Sequence, residues 1–324
     1  MEGASRVVNN LPAVLAESAK RRPHSHALLH ALMLIATFCW ATNIIAGKVV
    51  LRSMGPLALA QLRATAGAII FGVLFFGWGR RPALRLARRE WIFMAKTALF
   101  GITLNQLFFI GGIGRTSAAH AGLIVAMGPV MVLALACAMR LEALTLMKLL
   151  GTLVAFCGVA VLTAAKSASS GGASVRGDAI LLAGTAVFAY YTILLKEAAG
   201  RYDVLTLNTI VFSLGALFMF PFSARALLTV PWTALGARAW WCVGFMVVLG
   251  TALSYWFFVF ALTNLTAARV AAFAYLQPLI AIALGAWLLA EKLTLAIVAG
   301  GGLVLAGVYL TEREAETRSA ESTT

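Results

Sequence analysis

Residues 142–146 read EALTL and residues 291–295 read EKLTL, each lying between two long apolar runs. Sliding the chain against itself by the same offset, 149 residues, lays 117–163 over 266–312 without a gap. Pro129 then falls on Pro278, Glu142 on Glu291, Thr145 on Thr294 and Gly151 on Gly300. The Ala and Leu coincidences add little, because apolar segments match by composition. Further back, Trp91 meets Trp240 and Gly101 meets Gly250. At an offset of 148, Lys48 meets Lys196 and Trp40 meets Phe188. The chain is two copies of one unit.

The solvent of that unit follows from composition. Hydrophobic residues make up 61% of the 324 and charged residues only 12%. Soluble domains carry about 25% charged residues. Charges mark off apolar runs at 31–47, 55–79, 97–114, 121–139, 149–165, 179–195, 204–224, 239–262, 270–290 and 293–311. Most approach the roughly 20 residues that carry a helix across the hydrocarbon core. Lipid offers no partner to a backbone amide, so helix is the economical conformation. The runs lack the alternation of a β-barrel. The expected fold is an all-α membrane protein with ten transmembrane helices. Five per copy is an odd number, so the second copy enters from the opposite side and the halves are inverted repeats. The units are expected at 28–166 and 177–311, flanked by polar tails at 1–27 and 312–324. The first tail has no apolar core of its own and does not read as a signal peptide. In each E-x-L-T-L turn the Thr is placed to cap the next helix, and the Glu is expected at the wet interface in a structural role.

The net charge of +14 does not point to nucleic acid, because the basic residues are spread through loops rather than gathered on one face. They do have a side. With both termini cytoplasmic, the inner segments hold about twice the Lys and Arg of the outer ones, anchored by Arg80, Arg81, Arg85, Arg88 and Arg89. Cys39, Cys137, Cys157 and Cys242 all fall in apolar runs without a C-x-x-C, and read as buried packing residues.

The motifs TFCWATNIIAGK (37–48), ALAQLRATAG (58–67), TSAAHAGLIVAMGPVMVLAL (116–135) and LTAARVAAFAYLQPLIAIALGAWLLAEKLT (265–294) carry a family likeness. Over about residues 28–311 the chain resembles the drug/metabolite transporter superfamily, of the type with two EamA domains. Helix 1 of such proteins often has Gly after the Trp; Ala41 stands there in this chain. The resemblance implies a ten-helix transporter of small metabolites, amino-acid exporters among them.

No GxxxxGK[ST], HExxH or G-x-S-x-G stretch and no paired intramembrane carboxylates occur, so neither an ATP-driven pump nor a hydrolase of the usual kinds is supported, and no cofactor is implied. Transport would be secondary-active or facilitated, with the site near the midplane where the halves meet. Gly128-Pro129 and Gln277-Pro278 are helix breaks at equivalent places. Each proline frees a carbonyl about four residues earlier, near Val125 and Ala274, either for substrate or as a packing kink. Buried amides and aromatics are the candidate lining: Trp40, Asn43, Asn105, Gln106, Phe109, Tyr190, Tyr191, Tyr255, Tyr275 and Gln277. An amide is too costly to face lipid, and Asn105 and Gln106, about 100° apart on a helix, cannot both point to the centre. Trp78, Trp91, Trp240 and Trp241 are expected in the interfacial belt.

Among ionisable groups, Arg63 either snorkels outward or serves transport. His120 and Arg269 share one repeat position and are expected to flank the outer and inner mouths of a single pathway. His120 is the one span-associated group suited to proton coupling near neutral pH. The excess of cationic over anionic groups favours a substrate with a carboxylate, held between aromatic walls. Gly300, Gly301, Gly302, Ala306 and Gly307 give the last helix a small-residue face for the helix carrying Gly151 and Gly158, or for a homodimer contact. The expected partners are the lipid bilayer of the inner or plasma membrane and a small-molecule substrate. Export of amino acids or similar metabolites is the leading function. Transport of organic acids, nucleotides or cationic drugs by the same fold is the alternative, followed by a membrane-embedded lipid-modifying enzyme.

Overall fold

The structure, a computed structural model, describes residues 26–77, 86–113, 115, 124–166, 175–289 and 295–321. There is no strand among the described residues, which form ten helical rods. These are α1 (His26–Val50), α2 (Pro56–Gly77), α3 (Arg88–Ala98, Leu99–Leu104 and Asn105–Ile113 end to end), α4 (Gly128–Ala138) and α5 (Leu146–Lys166). The second set is α6 (Val175–Ala199), α7 (Val204–Leu228), α8 (Ala237–Val247, Val248–Leu253 and Ser254–Asn264), α9 (Ala267–Ala272, Phe273–Tyr275 and Leu276–Leu289) and α10 (Leu295–Glu321). Among the described residues, five stretches are long and apolar enough to cross a bilayer: Pro56–Gly77, Arg88–Phe109, Val175–Ala199, Val204–Leu228 and Ala237–Asn264. Five shorter apolar helices accompany them.

The repeat is written into the backbone. The middle of α3, Leu99–Leu104, and the middle of α8, Val248–Leu253, are both π-helical, and they coincide at the 149 offset. A π turn admits one extra residue into a helix and re-aims the side chains beyond it. The helix also tightens just before Pro129 and Pro278. Phe273–Tyr275 is 3₁₀-helical ahead of Pro278, and Met127 donates to Ile124 O at 3.1 Å ahead of Pro129.

Packing obeys the same exchange of halves. α2 lies along α7 and α5 along α10, while α4 meets α9. The second half of α3 packs on α6 as α8 packs on α1, and α4 packs on α6 as α9 packs on α1. The α5–α10 pair is antiparallel and nearly backbone to backbone. A Cβ on Gly158 would sit 2.7 Å from Gly300 O, and one on Gly151 would sit 2.7 Å from Gly307 O. Small residues let helices in lipid approach until dispersion replaces the missing hydrophobic drive.

The EALTL turn does cap its helix, with Lys148 N donating to Thr145 Oγ1 at 3.3 Å. Its Glu142 departs from the sequence expectation. The side chain is not at a wet interface but 4% exposed, paired with Lys148 at 3.0 Å. It also accepts a hydrogen bond from Ala268 N at 3.2 Å. The first amides of a helix have no internal partner, so the opening turn of α9 draws this carboxylate inward. The corresponding Glu291 lies outside the described residues. Trp91, Trp240 and Trp241 are exposed, at positions fit for an interfacial belt, while Trp78 lies outside the described residues. Cys157 is exposed rather than buried; a thiol behaves as a small hydrophobe, so an apolar helix surface tolerates it. Between α6 and α7, Tyr202 donates to Glu90 Oε1 at 2.8 Å. Burial, and then that carboxylate, push the phenol up to about 12.

Candidate functional site

Three buried polar atoms make no hydrogen bond among the described residues: Asn43 Oδ1 on α1, Tyr191 OH on α6 and Tyr275 OH on α9. An unpaired buried polar group costs about 1–3 kcal/mol, so three of them in one bundle call for a reason. Asn43 and Tyr191 are the same repeat position, 148 residues apart. Each rests on the glycine of a π segment from the other half. The Tyr191 ring covers Gly101 so closely that a Cβ there would overlap it, and Asn43 Oδ1 lies 2.6 Å from where a Cβ on Gly250 would be.

Aromatic side chains surround this junction. Trp40 meets Tyr255 edge-on at 5.8 Å between ring centroids and Phe258 at 5.5 Å. Phe212 meets Tyr255 at 5.0 Å. Phe188, the repeat mate of Trp40, bridges Phe258 at 6.3 Å and Tyr191 at 5.9 Å. α1, α6, α7 and α8 thus contribute to one continuous aromatic wall, in the edge-to-face and offset arrangements that ring quadrupoles favour.

Arg63 enters the same place from α2. It is half-buried and donates from Nε to Thr251 Oγ1 at 3.1 Å. Thr251 sits in the π segment at the middle of α8. The side chain therefore runs inward, not outward to the membrane surface as snorkelling would have it. Gly67, one turn along α2, makes room for this approach: a Cβ there would meet Phe212 at 2.8 Å and Thr251 at 3.3 Å.

The remaining candidates are placed as follows. Asn105 and Gln106 are half-buried on the turn that follows the α3 π segment. Tyr190 faces elsewhere than Tyr191, against Phe100 at 5.0 Å, with Lys96 Nζ 4.8 Å from its ring centroid. Phe109 is 38% exposed. On α9, Tyr275 is buried and Gln277 and Pro278 are half-buried; on α4, Gly128 and Pro129 are buried. Arg269 is 3% exposed in the first turn of α9, its Nη2 3.5 Å from His30 Nε2. His120 lies outside the described residues. The structure thus brings Trp40, Asn43, Arg63, Tyr191 and Tyr255 to one junction and leaves Tyr190, Phe109 and Arg269 away from it.

Sequence reasoning missed Thr251, Phe188, Phe212 and Phe258. Thr251 carried a signal, since the repeat sets it against apolar Ile102 immediately after the shared glycine. Gln61 was missed as well. It is 3% exposed, donates to Ala216 O at 3.1 Å and accepts from Ser223 Oγ at 2.8 Å, and so ties α2 to α7. No group of three metal-ligating side chains occurs among the described residues. Apolar walls, a cation and unpaired polar atoms make an environment for a small polar solute.

Known proteins place the chain. The family model described as "EamA-like transporter family" matches twice, over residues 28–164 and 175–313. An "uncharacterized transporter" of Archaeoglobus fulgidus is 28% identical over 288 residues, covering 87% of this chain and 98% of that protein. The "uncharacterized transporter YvbV" of Bacillus subtilis is 27% identical over 298 residues, 91% of this chain and 93% of its own. A "probable terminal-alkyne amino-acid exporter" of Streptantibioticus cattleyicolor is 26% identical over 298 residues, 90% of this chain and 96% of its own. A solved crystal structure superposes with a TM-score of 0.76 at 17% identity, covering 90% of this chain and 99% of that one, a likeness of fold. Two matched halves, whole-length relatives named as transporters and a bundle rich in apolar helices make this a multi-pass membrane protein, and the chain belongs to the EamA-like transporter family.

Proposed function

We propose that the protein is a secondary-active or facilitated exporter of amino acids or similar small metabolites, working by alternating access. All ten rods cross the inner or plasma membrane with both termini in the cytoplasm, and the halves 28–166 and 177–311 rock about the junction of α1, α2, α6 and α8. It is not an enzyme. The observation that carries this reading is the pair of unsatisfied polar atoms, Asn43 Oδ1 and Tyr191 OH, at equivalent places of the two halves inside one aromatic wall. Packing alone gives no reason to keep a buried orphan polar group in each half; a polar solute that passes between them does. The exporter name carried by the Streptantibioticus relative supports the substrate class.

Counterflow in proteoliposomes tests it, with labelled neutral, aromatic and acidic amino acids and protein-free vesicles as the baseline. One class should accumulate, and Tyr255→Ala should abolish the accumulation without loss of monodisperse protein. No accumulation of any amino acid by folded protein would remove the substrate assignment.

A further inference from the structure

We infer that Arg63, held by Thr251 beside the Tyr255–Phe212 ring pair, is a carboxylate anchor, so that the transported solute carries a free carboxylate. The inference rests on the transport reading above and names the group by which the substrate is held.

The first support is the cost of the charge. A guanidinium stays protonated in proteins, and a charge inside a membrane bundle is expensive unless something pairs with it. Arg63 lies about 5 Å from the middle of α2 at 1.5 Å rise per residue. Among the described residues, its one hydrogen bond is made by Nε to a neutral hydroxyl. The acidic side chains that the structure describes, Glu90, Glu142, Asp178, Glu197 and Asp203, all sit at helix ends or in loops. Among the described residues, the interior therefore supplies no carboxylate to this cation.

The second support is an internal control. The halves coincide at an offset of 148 in α2 and α7 and of 149 in α3 and α8, so Arg63 corresponds to Val211 and Thr251 to Ile102. The packing around them also corresponds. Gly67 of α2 seats Thr251, and Gly215 of α7 seats Ile102, which would lie 2.5 Å from an added Cβ. The α3–α7 crossing is built from Ile and Val, both buried; the α2–α8 crossing is built from Arg and Thr. The crossing needs no polar pair to pack, so the pair serves something else.

The third support is geometry. With Nε engaged by Thr251, the two terminal nitrogens present the planar fork that grips a carboxylate through two parallel bonds. The Tyr255 and Phe212 rings, 5.0 Å apart beside this crossing, lower the local polarity, which strengthens such a contact.

The test is ligand-induced thermal stabilisation of the full-length protein in detergent. It uses matched series that share a side chain: L-amino acids, their amides, and the same acids without the amino group. Sodium chloride and phosphate serve as inorganic controls. Acids should stabilise the wild type and amides should not. Arg63→Gln should lose that preference, with half-saturation weakened about tenfold to hundredfold, the range of a charge-assisted hydrogen-bond pair. Arg63→Lys, which keeps the charge and loses the fork, should fall between, and Thr251→Val should weaken acids selectively. Arg63→Lys and Thr251→Val carry the test if Arg63→Gln does not fold. Carboxylates without an amine that bind as well as amino acids, and lose binding in Arg63→Gln, would keep the anchor while ending the amino-acid assignment. The inference is overturned if amides match acids, if Arg63→Gln keeps the preference, if chloride or phosphate reproduces the shift, or if no carboxylate stabilises the folded wild type.

Discussion

Gly101 and Gly250 show how one atom shapes the centre. Each is the floor under a polar side chain from the opposite half, Tyr191 and Asn43 respectively. Tyr191 is fully buried and cannot swing aside. Gly101→Ala should therefore cost about 1–3 kcal/mol, the range for overpacking. Gly72 of α2 has nothing within 4 Å of an added Cβ, so Gly72→Ala should be neutral or gain up to about 1 kcal/mol from helix propensity. Thermal unfolding in detergent separates the two, and equal effects would contradict the close seating of Tyr191 on Gly101. Glu142 is a second residue whose role the contacts define. Glu142→Ala leaves Lys148 and Ala268 N without their partner and should cost about 1–3 kcal/mol. Glu142→Gln keeps an oxygen for Ala268 N and should cost less.

At the scale of elements, α5 and α10 hold the halves together through glycine faces that lie backbone to backbone. Backbone atoms cannot rotate away as side chains can. Gly158→Val should therefore split the pair and lower stability by about 3 kcal/mol or more, beyond ordinary overpacking. Gly302→Val, on the open face of α10 with nothing within 4 Å, should be tolerated. A lipid-facing pair of glycine stripes would make the two variants alike. The π segments act differently. Each widens a helix where its glycine receives a partner, then turns the following residues: Asn105 and Gln106 in one half, Ser254 and Tyr255 in the other. Deleting one residue from Leu99–Leu104 would restore regular helix and close the wider turn in which Gly101 receives the Tyr191 ring. Counterflow should then be lost in protein that still folds.

Across the whole molecule, the proposed alternating access makes a claim about water. Single cysteines placed at positions 43, 105 and 255 of a cysteine-free background should react with a small aqueous maleimide and be protected by the transported solute. A cysteine at position 69, exposed on α2, should stay unreactive because it faces lipid. Uniform silence at 43, 105 and 255 would mean a sealed centre and a non-transporting scaffold. The two-fold relation also predicts that solute protects positions 43 and 191 together, since both belong to the one repeat position.

The sequence determined the chemistry of the surroundings and the plan of the chain: a lipid solvent from scarce charge, helices from unbroken apolar runs, and a duplicated unit from a repeated turn. Those properties are local or periodic, and one dimension records them. It also named Trp40, Asn43, Arg63, Tyr191 and Tyr255, because polar, charged and aromatic groups stand out against an apolar background. Only the tertiary structure decided which of them meet. Tyr190 and Tyr191 are neighbours in the chain, yet about 100° of helical rotation sends one to Phe100 and Lys96 and the other to the centre. Arg63 and Thr251 are 188 residues apart, and their bond exists because Gly67 lets α2 close on α8 where a π turn re-aims the chain. Proximity of that kind depends on crossing angles and on the absence of a single Cβ, which no periodicity in the chain encodes.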